Sequence, residues 1–185
     1  MSGLTNDMPK TSTKYQEHHC SECNQTTDYA SKLNKGMATF LLTFARAVTI
    51  KGENRIRLTE IMVDPKTPEW ASATKRAAEG KITQPQYNNF SHLCRHGFIV
   101  IVETGVFVLT KKGAAFLRGK PVEKAAIVDK RTHSNVGYVA DADGSVLMTD
   151  IWEVMKSKDG WWSGWNYDIA DDGSLIWNHQ PKLAI

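Results

Sequence analysis

The sequence predicts an α+β fold in which helices lead into a β-hairpin and a short closing helix, with further strands towards the C-terminal end. Residues 84–96 carry apolar side chains at helical spacing and end at Gly97, which enters the left-handed conformation at little cost. Two apolar runs then flank a turn at Gly105, as in a hairpin. Two Asp-Gly turns near the C-terminal end indicate more hairpins. This order predicts a winged helix-turn-helix core with a small β-rich C-terminal extension.

A long helix is expected at the start of the core. Asp28 or Ser31 is a candidate N-cap, and a glycine ends the helical pattern. The apolar residues at helical spacing are Leu33, Met37, Phe40, Leu41, Phe44 and Val48. Residues 56–61 then predict a short strand and a small helix, and residues 69–79 predict another helix. Its junction with residues 84–96 would be the turn of the helix-turn-helix.

The second half of the core is expected to be a hairpin followed by a closing helix. The hairpin strands are residues 98–102 and 106–109. Thr110 is a candidate N-cap for a helix over residues 111–118, and Gly119 stops that helix. The hairpin would be the wing of the fold, and the closing helix would support it.

Composition divides the chain into three regions. We expect a flexible N-terminus with a candidate zinc knuckle over residues 1–27, a winged-helix domain over residues 28–120, and a small acidic, aromatic and β-rich unit over residues 121–185. Residues 66–120 hold nine Lys or Arg and three acidic residues, whereas residues 121–185 hold six Lys or Arg and ten acidic residues. The helix-and-hairpin segment is therefore the basic part of the chain, which favours a polyanionic partner.

The helix expected over residues 84–96 has one face that is polar throughout. Side chains that donate or accept hydrogen bonds suit a helix in a DNA major groove, although a solvated helix face has the same composition. We assign to base contacts Gln84, Asn88, His92 and Arg95. We assign to phosphate contacts Lys75, Arg76, Lys111, Lys112 and Arg118.

Two motifs carry a resemblance to a known family. They are Thr83-Gln84-x-Gln86-Tyr87-x-Asn89-Phe90-x-x-Leu93-x-x-x-Gly97 and Leu109-Thr110-x-x-Gly113-x-x-Phe116-Leu117-x-Gly119. The chain resembles largely uncharacterised winged-helix proteins of bacteriophages and mobile elements, which often have a Cys-containing segment before the first helix. The resemblance implies a phage-encoded protein that binds DNA or a partner protein, and it supplies no catalytic residues.

Candidate metal ligands cluster ahead of the core at His18, His19, Cys20 and Cys23. A Cys-x-x-Cys pair presents two thiolates to one metal, and an adjacent histidine adds a nitrogen. Structural zinc needs a fourth ligand, for which the remaining histidines are candidates: His92, His96, His133 and His179. A polar segment without metal and a redox pair are the alternatives. Three cysteines do not suggest a disulfide framework, so we expect a reducing, cytoplasmic compartment.

The C-terminal region contains an aromatic cluster of Trp161, Trp162 and Trp165. These rings are either the core of a small β unit or an anchor for a protein partner. Acidic neighbours argue against nucleic acid at this position. The Asp-x-Asp-Gly sequence at residues 141–144 is expected to be a turn, because the other ligands of a calcium loop are missing.

These patterns lead to two functional hypotheses. The first is a winged-helix nucleic-acid-binding accessory or regulatory protein with DNA as its partner. The alternative is a protein-binding module that inhibits or modulates a host protein through the winged helix or the Trp-rich tail. The sequence contains no Walker loop, nucleophile elbow or His-Glu-x-x-His motif, so we expect no enzymatic activity. No apolar run approaches the roughly 18 residues of a membrane span, so no membrane partner is expected.

Overall fold

The computed structural model describes residues 18–64, 66 and 73–155, with backbone only for residues 73–75, and the backbone of two later strands. In this part of the chain the fold is mixed α+β, with antiparallel sheets. The helices are α1 (Lys35–Lys51), α2 (Ala73–Ala78), α3 (Gln84–Asn88), α4 (Phe90–Arg95), α5 (Lys111–Leu117) and α6 (Ile151–Met155). The strands are β1 (Asp28–Lys32), β2 (Ile56–Arg57), β3 (Ile99–Glu103), β4 (Val106–Leu109), β5 (Val122–Glu123), β6 (Ala125–Asp129), β7 (Asn135–Tyr138), β8 (Met148–Thr149), β9 (Tyr167–Ile169) and β10 (Leu175–Trp177).

Helix α1 forms the centre of the core. Its N-cap is Asn34, whose side chain accepts a hydrogen bond from the Met37 N–H at 3.1 Å, and Gly52 ends it in the left-handed conformation. The predicted cap at Asp28 or Ser31 is wrong, because both residues lie in β1. Pairing of β1 with a distant strand overrides the local capping signal at these two positions.

The first sheet has the strand order β2-β4-β3, and all its pairs are antiparallel. A short 3-10 turn, Leu58–Glu60, follows β2. The strand and small helix predicted for residues 56–61, the hairpin, and the closing helix capped by Thr110 are confirmed. Helices α2, α3 and α4 come between β2 and the hairpin.

The helix expected over residues 84–96 is divided into α3 and α4. A capping box opens α3, in which Thr83 and Gln86 each bond the other's backbone. At Asn89 the side-chain amide donates to the Pro85 carbonyl at 2.7 Å, and the backbone leaves regular helical angles. The asparagine side chain thus bonds to a carbonyl group that would otherwise accept a hydrogen bond within the helix. This competition accounts for the break between α3 and α4.

A second sheet has the strand order β1-β6-β7. It joins the segment before α1 to the segment after Pro121, with Asp28 opposite Asp129 at one end of the β1–β6 ladder. Strands β5 and β8 form a separate pair. Strands β9 and β10, which lie on either side of the second Asp-Gly sequence, pair antiparallel as predicted, and the Asp-Gly residues themselves lie outside the described residues. Asp150 caps the start of α6, since its carboxylate accepts a hydrogen bond from the Glu153 N–H at 2.8 Å.

The first Asp-Gly segment is a turn held by side-chain-to-backbone bonds. The Asp141 carboxylate accepts from the N–H groups of Asp143 and Ser145 at 3.2 and 3.0 Å. The bridge between Ala140 and Val146 closes the turn. One oxygen of the Asp141 carboxylate thus accepts both backbone N–H groups, as is usual for an aspartate in a turn.

Gly113 permits the close packing of α5 on β3. The Thr110 hydroxyl donates to the Gly97 carbonyl at 2.6 Å and accepts from the Gly113 N–H at 3.0 Å. A Cβ atom at Gly113 would lie 2.4 Å from the Phe98 carbonyl oxygen. Because that atom belongs to the backbone, the helix and the strand would have to move apart to accept it.

We therefore predict that Gly113→Ala lowers the free energy of unfolding by about 1–3 kcal/mol, since it overpacks a rigid contact. Urea denaturation of the two proteins measures the difference. The matched control is Gly137→Ala, where the nearest atom to a new Cβ is a side-chain carbon of Ile127 at 3.8 Å. Equal stability of both variants would contradict the prediction.

Candidate nucleic-acid interface

The exposed polar groups of α3 lie at its first and last turns. Gln84 and Asn88 are both exposed and one turn apart, and the Gln84 amide donates to the Asn88 side-chain oxygen at 2.8 Å. This bond fixes the two amides relative to each other. Each amide keeps further donor and acceptor atoms at the exposed surface. Such a pair of atoms can form hydrogen bonds to the edge of an adenine base.

His92 and Arg95 lie in a different environment. The Nδ1 of His92 is 3.3 Å from the Ser31 hydroxyl of β1. Arg95 donates to the His133 carbonyl at 3.4 Å, and its guanidinium lies 5.9 Å from the centre of the Tyr29 ring. Burial lowers the pKa of His92, and the charge of Arg95 lowers it further. The second half of the polar face therefore packs against the second sheet, and its assignment to base contacts stays a prediction.

The residues assigned to phosphate contacts also divide into groups. Lys111 and Arg118, at the two ends of α5, are exposed. Arg76 is half-buried, and burial lowers its pKa. The side chain of Lys75 lies outside the described residues. Among the assigned cations whose side chains are described, the exposed ones are therefore those at the two ends of α5.

Lys112 is committed to contacts inside the protein. Its Nζ lies 2.7 Å from a Glu123 carboxylate oxygen and donates to the Tyr138 hydroxyl at 3.2 Å. Burial opposes ionisation of Glu123, but the hydrogen bond and charge of Lys112 outweigh it and lower the pKa of that carboxyl. Lys112 therefore links α5 to β5 and β7.

A buried histidine lies next to this ion pair. His96 is 1% exposed, its Nε2 lies 3.0 Å from the Ser31 carbonyl oxygen, and its ring stacks on Phe98 at 5.7 Å between centroids. Burial is the main cause that lowers its pKa to about 4, while the bond to Ser31 opposes the shift. His96 is thus neutral at pH 7. The sequence indicated His96 only as a candidate metal ligand. Its hydrogen-bond partner, Ser31, is 65 residues away in the sequence, and the residues next to His96 do not indicate this contact.

The outer surface of the hairpin carries paired charges and exposed apolar groups. Arg55 forms an ion pair with Glu103, and Arg57 donates to the Thr104 carbonyl at 3.1 Å. Along β3 the exposed apolar side chains are Val100, Ile101 and Val102. A groove opens beside them, between the hairpin, α4 and the turn after β6, and Phe90, Cys94, Ile101 and Phe107 contribute to its lining.

The Cys-x-x-Cys segment is a tight turn. The Cys20 N–H donates to the Gln25 carbonyl at 2.8 Å, and the Asn24 N–H donates to the Cys20 carbonyl at 2.9 Å. Asn24 has a φ of +55°, and the bridge between His19 and Thr26 closes the turn. The N–H groups of Cys23 and then Glu22 donate to the Cys20 sulfur and lower the pKa of this thiol, and the Cys23 thiol adds to the effect. Donation of backbone N–H groups to a thiolate is typical of metal-binding knuckles.

The two histidines beside the turn have other partners. The Nδ1 of His18 lies 2.7 Å from the Asp28 carboxylate, and the Nδ1 of His19 lies 3.1 Å from the Asn24 carbonyl oxygen. Among the described residues, no three His, Cys, Asp or Glu side chains are grouped as a metal site requires. The aromatic cluster of Trp161, Trp162 and Trp165 lies outside the described residues.

Comparison of the chain with protein-family models, with characterised proteins and with solved structures finds no match. The resemblance to phage and mobile-element proteins therefore stays a prediction. No helix among the described residues has the length and apolar character needed to cross a membrane.

The buried state of His96 predicts a pH-dependent stability. The pKa of His96 is about 4 in the folded chain, against about 6.5 for an unperturbed histidine. As the pH falls below about 6.5, the unfolded chain takes up the proton first, so folding loses stability until the pH approaches 4. We expect a loss of about 2–3 kcal/mol from this group between about pH 7 and pH 4.5.

Urea denaturation at several pH values measures this loss by comparison of wild type with His96→Gln, which does not titrate. The variant should have the shallower pH dependence. His133→Asn is the control, because His133 is exposed and asparagine tolerates its φ of +56°. Parallel curves for wild type and His96→Gln would contradict the assignment.

Proposed function

We propose that the chain is a winged-helix protein that binds duplex DNA and acts as an accessory or regulatory factor. The observation that carries the proposal is the order α1, β2, α2, α3–α4, β3, β4 with a β2-β4-β3 sheet, in which the start of α3 carries an exposed pair of amides. In a winged helix, α3–α4 is the recognition helix and the β3–β4 hairpin is the wing. Because the same fold also serves protein binding, the assignment depends on the side chains that the fold exposes.

Gln84 and Asn88 are the proposed base-reading residues. Helix-turn-helix proteins contact base edges mainly with the N-terminal part of the recognition helix, and α3 is that part here. Glutamine and asparagine form paired hydrogen bonds to adenine in the major groove. His92 and Arg95 contact β1 and the turn after β6, so the proposal places the main base contacts at the start of the recognition helix.

Phosphate contacts are proposed for Lys111 and Arg118, the exposed cations of α5. They belong to the segment of residues 66–120, which holds nine Lys or Arg against three acidic residues. The wing adds little positive field, since Arg55 is paired with Glu103 at its tip. The proposed contact surface therefore consists of α3 and α5 rather than the wing.

Adjacent lysines of α5 provide the test of the phosphate contacts. Lys111→Ala should weaken binding to duplex DNA and reduce the slope of log affinity against log salt by about 0.9, because one counterion fewer is released. Lys112→Ala removes the same charge but breaks the contacts to Glu123 and Tyr138. It should leave the salt slope unchanged and lower the free energy of unfolding by about 1–2 kcal/mol.

Fluorescence anisotropy with labelled duplex at a series of salt concentrations measures both slopes, and urea denaturation measures stability. Wild-type protein that does not bind duplex DNA at low salt would overturn the proposal. Equal salt slopes for Lys111→Ala and wild type would remove Lys111 from the contact surface.

Base reading by α3 is tested by selection of preferred sequences from a random duplex library. Gln84→Ala and Asn88→Ala should each reduce the preference for the selected sequence by about 1–3 kcal/mol, since each removes a paired contact to a base edge. Binding to unrelated duplex should change little, because phosphate contacts carry that affinity. Unchanged preference in both variants would show that α3 does not read bases.

One observation favours a second candidate function, a protein-binding module. Among the described strands, β3 pairs with β4 alone, so its outer edge has unpaired backbone groups beside the exposed Val100, Ile101 and Val102. An open apolar strand edge is a site where a partner adds a strand. Failure of the wild-type protein to bind DNA at low salt would make this candidate the leading one.

A further inference from the structure

The turn after β6, residues 130–134, carries two adjacent exposed cations, Lys130 and Arg131. It belongs to the region of residues 121–185, which is acidic overall, with ten acidic residues against six Lys or Arg. The turn itself has the opposite sign, because it contains both of these cations and no acidic residue. The charge of the whole region therefore does not describe the surface that the turn presents.

Hydrogen bonds to one carboxylate hold this turn in a fixed shape. An oxygen of Asp129, the last residue of β6, accepts from the N–H groups of Arg131 and Thr132 at 2.9 and 2.7 Å, and from the Thr132 hydroxyl at 3.0 Å. Asp129 supplies one negative charge against two positive ones, and Asp28, opposite it on β1, is buried. The side chains of Lys130 and Arg131 start from a fixed backbone, so little backbone entropy is lost when they bind a ligand.

The turn is anchored at the C-terminal end of α4. The Asn135 side chain donates to the Arg95 carbonyl at 3.0 Å, and the Arg95 Nε donates to the His133 carbonyl at 3.4 Å. The start of α5 reaches the same end of α4, since the Thr110 hydroxyl donates to the Gly97 carbonyl at 2.6 Å. Two segments that carry exposed cations, the turn after β6 and the start of α5, therefore both contact the residues at the end of α4.

The length of α3–α4 determines where this end would lie on a DNA duplex. From Gln84 to Arg95 the two helices extend over about 18 Å at most, at 1.5 Å per residue. The major groove is about 12 Å wide. With the amides of α3 at the base edges, the end of α4 therefore reaches the sugar–phosphate backbone at the border of the groove. In homeodomains the C-terminal end of the recognition helix contacts the backbone in this way.

We propose that Lys130 and Arg131 bind phosphates of the duplex at the border of the major groove, in addition to the contacts of Lys111 and Arg118. The inference rests on the proposed binding of DNA by α3 and α5, and it extends that surface onto the second sheet. Lysine and arginine contacts to phosphate oxygens orient a protein on the duplex without reading its sequence. The acidic C-terminal region therefore takes part in DNA binding through one basic turn, which the pairing of β1 with β6 brings to α4.

Salt titrations of the full chain with a labelled duplex test these contacts. Lys130→Ala and Arg131→Ala should each reduce the slope of log affinity against log salt by about 0.9, and the double variant by about 1.8, because each contact releases one counterion. Lys124→Ala is the matched control. It removes a charge of the same sign next to the other end of β6, where Lys124 pairs with Glu153 at 3.3 Å, and it should keep the wild-type slope.

Variants that keep the charge separate a phosphate contact from a structural effect. Lys130→Arg and Arg131→Lys should keep the wild-type slope, since the number of counterions released is unchanged. Urea denaturation should give the same free energy of unfolding for these variants and for the alanine variants, because both side chains are exposed.

Three outcomes would overturn the inference. Wild-type slopes in Lys130→Ala and Arg131→Ala, with a reduced slope in Lys111→Ala, would remove the turn from the contact surface and leave the proposed function in place. An equal reduction in Lys124→Ala would show that the overall charge of the chain, not a contact of the turn, determines the slope. Wild-type protein that does not bind duplex DNA at low salt would overturn both the proposed function and its extension to the turn.

Discussion

The burial of α1 is the constraint on which the rest of the fold depends. Leu41, Leu42 and Phe44 are 0% exposed, and the helix contacts α2, α4, α5 and α6 as well as β2 and β4. Burial of each large apolar side chain contributes about 1.5–3 kcal/mol, so this one helix supplies much of the driving force for folding. Its contacts with α4 and α5 also fix where the exposed amides of α3 and the lysines of α5 lie.

Polar contacts decide how the second sheet lies against this core. The Ser31 carbonyl on β1 bonds to His96 at the end of α4, and the Tyr138 hydroxyl on β7 accepts a hydrogen bond from Lys112 on α5. Buried polar groups are costly when unpaired, so these contacts favour one docking position over others of equal apolar area. In that position the second sheet covers the C-terminal half of the polar face and leaves α3 open. Contacts outside the candidate interface therefore determine how much of the polar helix face is exposed.

Features with a local cause could be predicted from the sequence. The periodicity of α1, the hairpin around Gly105 and the Thr110 cap each depend on residues a few positions apart. Contacts between segments that are distant in the sequence could not be predicted in this way. β1 gives no strand signal until its partner is known, and the adjacent Lys111 and Lys112 differ only because Glu123 and Tyr138 lie beside one of them. For the same reason, the Cys-x-x-Cys spacing indicated a candidate metal site but did not indicate which other residue would complete it.

The pairing of β1 with β6 also affects the order in which the chain folds. Partner residues on the two strands are about 100 positions apart, whereas α1 to α5 are joined by short connections. Contacts between distant segments form late, because closing a long loop costs entropy before any contact is gained. At a synthesis rate of about 5–20 residues per second, β1 waits about 5–20 s for its partner to leave the ribosome. During that interval the helical core can form, while β1 is an unpaired strand available to other chains.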